Sequence, residues 1–66
     1  MAKHTSTHDA LVTARRVLVA YRDLILRSEA MGGEYVEGSD KAVLDANGRE
    51  KVRPIRSAIR KIDAVL

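Results

Sequence analysis

From His8 to Met31 the chain carries neither glycine nor proline, and its apolar residues return at helical spacing. Wound at about 3.6 residues per turn, Leu11, Ala14, Val17, Leu18, Tyr21, Leu24, Ile25, Ser28 and Met31 share one broad face. The spacing predicts a long helix with that face as its core. Ser6 or Thr7 supplies a capping oxygen at its start, Asp9 puts a negative charge in its first turn, and Gly32-Gly33 offers the left-handed backbone that commonly closes a helix. A second apolar stripe, Val12, Val19 and Leu26, repeats every seven residues on the other side. Arg15 and Arg22 on one flank, and Arg16 and Asp23 on the other, separate it from the core face. A helix that is apolar on two sides needs more than one neighbour, which a lone hairpin does not supply. Val12, Val19 and Leu26 are therefore the candidate dimer interface.

Toward the other end, Val52, Ile55, Ile59, Ile62 and Leu66 step by three, four, three and four, the spacing of a helical seam. Pro54 suits a first helical turn and not a helix interior, so the regular part of this element is predicted to start near Arg53. Between the two helices lies a polar connector, residues 32 to 39, with Tyr35 and Val36 as its only bulky apolar groups. Ser39 with Asp40 can open a short helix running to about Ala46, which Asn47-Gly48 then breaks. The competing reading is a β-hairpin turning at Asn47-Gly48, disfavoured because Ala42-Val43-Leu44 does not alternate and a lone two-stranded ribbon is marginal. The expected architecture is all-α: a polar tail over residues 1–7, then one domain over 8–66 made of a helical hairpin with a structured connector. Two such hairpins would pair into a dimeric four-helix bundle.

Length sharpens the expectation of pairing. A chain of 66 residues buries only roughly 60% of the surface it exposes when unfolded. With no cysteine it has neither a disulfide nor a thiolate metal site to stiffen it, which leaves oligomerisation. No apolar run approaches the roughly 20 residues that span a bilayer, and the start shows no apolar signal region. A cytoplasmic protein is expected.

Charge divides the chain into three. Lys3, Arg15, Arg16, Arg22 and Arg27 outweigh Asp9 and Asp23 in the first part, and Glu29, Glu34, Glu37, Asp40 and Asp45 outweigh Lys41 in the middle. Arg49, Lys51, Arg53, Arg56, Arg60 and Lys61 then outweigh Glu50 and Asp63. Two basic arms flanking an acidic connector invite pairing within the chain before any outside partner is considered. Arg49, Arg53, Arg56 and Arg60 nevertheless gather within an arc of about 60° on the last helix, away from the isoleucine seam. Such a stripe is either a solvated or internally paired face, a site for an acidic protein, or a row of phosphate contacts.

Little else points to chemistry. His4 and His8 are one helical turn apart, but a metal site would need further ligands, and solvated histidines are the simpler reading. No serine or threonine has a histidine and an acid arranged near it, and Gly32-Gly33 follows a helix where a phosphate loop would open one. No catalytic residue, cofactor site or metal site is expected, and no small-molecule substrate. Tyr35, in the acidic connector, is either an exposed anchor for a partner or a cap folded back on the bundle.

The expectation is a small non-enzymatic regulator or inhibitor that binds a partner protein as a helical homodimer, using Tyr35, Arg49, Arg53, Arg56 and Arg60. Its size is common among accessory proteins of phages and mobile elements that act on host machinery. The alternative is a basic nucleic-acid-binding regulator using the C-terminal arginines. Against that stand the modest net charge of +3 and the absence of Phe and Trp for stacking.

Overall fold

The computed structural model describes residues 6–66, so His4 lies outside the described residues. Two helices form, α1 over Thr7–Glu29 and α2 over Ala46–Val65, and they pack against each other as a hairpin. Ser6 caps α1, its side chain accepting a hydrogen bond from the Asp9 N–H at 3.0 Å. The helix ends before the glycines. Ala30 is extended, and Gly32 and Gly33, at φ of 87° and 77°, form the turn that follows. That turn sends the chain back so that the Met31 N–H donates to the Val43 carbonyl at 2.8 Å, tying the start of the connector to its end.

The connector differs from expectation. Residues 40 to 45 are neither helix nor strand, and Asn47-Gly48 is neither a breaker nor a hairpin turn. Asp45 caps α2, its carboxylate accepting from the Gly48 N–H at 2.8 Å, so both residues fall inside the first turn. Gly48 is there for space. A Cβ on it would stand 3.3 Å from the Glu29 Cβ and 3.4 Å from the Leu44 Cβ, so glycine lets the start of α2 approach the end of α1 closely. Pro54 consequently lies within α2 instead of at its start. Its ring removes one backbone hydrogen bond, and it does so on an exposed position.

Leu26 and Val52 are the most deeply buried side chains, at 0% and 1% exposure, and Leu44 from the connector closes over them. Ile55 and Ile59 extend the core along α2 as the seam predicts. Ile25, Tyr35 and Ala42 pack against its edge. Here the burial of the two apolar stripes of α1 departs from expectation. Leu26, assigned to a dimer interface, is wholly enclosed within the chain. Leu11, Ala14, Leu18 and Ile25 of the expected core face are half-buried. Val17, Tyr21, Leu24 and Met31 from that same face stand 52–62% exposed. The physical reason is the connector: residues 35 to 44 fold back over the side of α1 that carries Asp23 and Leu26, supplying a neighbour that the helical pattern alone did not reveal.

Candidate functional site

The connector is held by a buried polar cluster centred on Asp23. One Asp23 oxygen accepts from the Tyr35 hydroxyl at 2.7 Å and from the Arg22 guanidinium at 3.1 and 3.2 Å, and the other accepts from the Gly38 N–H at 3.1 Å. Tyr35 in turn accepts from the Asp40 N–H at 3.1 Å. Asp40 is in the left-handed region at φ 57°, which a short polar side chain tolerates. Its carboxylate lies 3.6 Å from Arg22 and 2.9 Å from Arg56, so the connector is tied to both helices.

Burial pushes the Asp23 carboxyl up, but the hydrogen bonds from Tyr35, Arg22 and Gly38 outweigh it and leave it below the usual carboxylate range. Burial and the neighbouring Asp23 carboxylate push the Tyr35 hydroxyl up. Tyr35 is half-buried with its hydroxyl engaged by Asp23 and Asp40, which matches the folded-back cap of its two expected placements.

The four arginines of the expected stripe do come together. Arg49, Arg53, Arg56 and Arg60 line a surface cleft of about 240 Å³ floored by Val52, and no carboxylate residue is among its lining. They are not equivalent. Arg56 is held by Asp40, and Arg49 donates to the Leu44 carbonyl at 2.9 Å. Arg53 pairs with Glu50 one turn away at 2.9 Å, an exposed pair that water and side-chain entropy make weak. Arg60 has no ion pair among the described residues and also borders a second cleft, of about 290 Å³, with Arg15, Arg22, Asp40, Arg56, Ile59 and Asp63. There the charge is largely matched, because Asp40 meets Arg22 and Arg56 while Asp63 meets Arg15.

Val12 and Val19 are half-buried beside a shallow cavity of about 280 Å³ that they share with Arg15, Arg16 and Leu66. The structure thus does not bring Val12, Val19 and Leu26 together as an open stripe. The Asp23 cluster was missed in the sequence, where Arg22 and Asp23 read only as polar borders between two apolar faces. Its one available signal was the single tyrosine in an otherwise acidic connector.

Among the described residues, no group of three or more His, Cys, Asp or Glu side chains is placed to hold a metal ion, and no helix is long and apolar enough to cross a membrane. Comparison with protein-family models, with curated proteins and with solved structures finds no match.

Proposed function

We propose that this chain acts by binding, as a non-enzymatic regulator or inhibitor whose arginine cleft on α2 takes an acidic segment of a partner protein. The observation that carries the reading is the cleft bounded by Arg49, Arg53, Arg56 and Arg60 with no carboxylate in its lining. Guanidinium groups present fixed, paired donors that match carboxylates two at a time. Arg56 and Arg49 are held in place by Asp40 and Leu44, so part of the donor array is oriented before any partner arrives. Arg53 and Arg60, exposed and not held by the connector, are the members available to grip it.

A nucleic acid is the second reading, and phosphates would satisfy the same donors. The position of the aromatic residues favours the protein. Neither Tyr21 nor Tyr35 lines the cleft, so no base-stacking platform adjoins the arginines.

Titrating the chain with a glutamate-rich peptide, and separately with a DNA duplex and a single-stranded RNA, tests the choice. The peptide complex is expected to saturate and persist at physiological salt, and the double change Arg53→Ala with Arg60→Ala is expected to weaken it at least tenfold. Tight nucleic-acid binding at physiological salt would overturn the reading, particularly if its log-log salt slope flattened by about two increments of roughly 0.7 to 0.9 in that double variant.

A further inference from the structure

The outward side of α1 has the form of a second helical seam. Ala14, Tyr21 and Ser28 repeat every seven residues, and Ala10, Val17 and Leu24 repeat every seven residues three positions later. Within α1 that three-then-four spacing of apolar and small side chains is the pattern of a coiled-coil contact. The bulky members Val17, Tyr21 and Leu24 are all more than half exposed. None of the charged residues of α1 falls on the seam. Arg15, Arg22, Asp23, Arg27 and Glu29 are all engaged elsewhere in the same chain, with Asp63, Asp40, Tyr35, Glu37 and Lys51 among their partners.

We propose that this seam is the surface through which two copies of the chain pair, α1 against α1 in antiparallel orientation. The sizes along the seam choose both the partner and the direction. In an antiparallel pair the two series of positions alternate across the contact. With the two-fold axis at Val19, Val17 meets Tyr21 of the second copy, Leu24 meets Ala14, and Ala10 meets Ser28. Tyr21 is thus matched by a medium-sized side chain and Leu24 by a small one, so the four central layers are evenly filled and the small Ala10–Ser28 layers lie at the two ends. A parallel pair would set Tyr21 on Tyr21 and Ala14 on Ala14, a crowded layer beside an empty one. On the flank, Ala20 meets Ala20 at the axis and Arg27 meets Thr13, so no like charges oppose one another.

Leu11, Leu18 and Ile25 are half-buried between this seam and the core, so pairing would extend the existing core into one four-helix unit. A self-complementary patch on a two-fold axis is also the commonest way for a soluble chain to cover an apolar stripe of this kind. No seam residue lines the arginine cleft, so the pairing stands or falls apart from the partner-binding reading.

Sedimentation equilibrium of the purified chain is the test. Two copies are expected at tens of micromolar, dissociating on dilution. Leu24→Asp is expected to leave a single copy with unchanged helical circular dichroism. A single copy at one hundred micromolar, or a dimer that survives Leu24→Asp, would overturn the surface. Orientation is read separately by mixing Val17→Cys and Tyr21→Cys chains and letting them oxidise. Antiparallel packing predicts mainly the mixed disulfide, whereas predominance of the two self-disulfides would overturn the antiparallel arrangement.

Discussion

The two sides of α1 carry apolar residues at nearly the same density, and the fold treats them in opposite ways. The side with Leu26 is closed by Leu44 and Val52 and sealed above by the Asp23–Tyr35 cluster. The side with Val17, Tyr21 and Leu24 meets solvent. What separates them is the connector, tied to α1 through Asp23 and to α2 through Arg56, and no buried side-chain nitrogen or oxygen among the described residues lacks a hydrogen bond. Apolar periodicity reports how many faces a helix has to cover. The irregular segment that follows decides which face the chain covers by itself.

The sharpest way to break this comparison is to charge the closed side. Leu26→Asp places an unpaired carboxylate at a position with no exposure and is expected to cost about 3 to 5 kcal/mol. A core this small supplies at most about 5 kcal/mol, so circular dichroism should show a chain that is mostly unfolded.

Second in size is the placement of α2. Val52 and Gly48 reach Leu26 and Glu29 because the helix starts at Ala46, which leaves Pro54 in its interior. Pro54→Ala should therefore restore a hydrogen bond at an exposed site and stabilise the chain by about 1 to 3 kcal/mol in urea unfolding. A helix starting near Arg53 would give almost no change.

The cluster that seals the connector comes third. Tyr35→Phe removes the donor to Asp23 and the acceptor for the Asp40 N–H and is expected to cost about 1 to 3 kcal/mol. Because the Asp23 carboxyl is held low in the folded chain, its contribution is present above about pH 4 and is lost as pH falls through the folded value. Tyr35→Phe should shrink that acid-induced loss. The raised Tyr35 hydroxyl works in the opposite direction, contributing below about pH 10 and fading as pH rises through its folded value. Urea titrations from pH 2 to pH 7 on both proteins measure the acid limb. The smallest effect belongs to the open side, where Leu24→Ser at dilute concentration should shift stability by no more than about 0.5 kcal/mol.

Much of this fold was legible in the chain, and the exceptions share a cause. The hairpin, the cap at Ser6 and the isoleucine seam follow from local rules of spacing and capping, and they stand in the structure. The phase of α1 did not follow, because Leu44 and Tyr35 lie 18 and 9 residues from Leu26 in sequence and no helical period links them. Asn47-Gly48 misled for a related reason. It signals a turn by conformation, but here Gly48 answers a tertiary demand for close approach and Asp45 recruits both residues into a helix. The arginine stripe was visible because it is a property of one helix. The ties of Arg56 to Asp40 and of Arg49 to Leu44 were not, since each crosses from helix to connector.

Thiol labelling tests the central claim most directly, since the chain has no cysteine of its own. Leu24→Cys and Leu26→Cys chains are labelled with the same reagent under native conditions, diluted until each is a single copy. Leu24→Cys should react nearly as fast as an unfolded chain, and Leu26→Cys at least a hundredfold more slowly while circular dichroism shows it folded. Equal rates, or faster reaction at position 26, would contradict the assignment of closed and open sides.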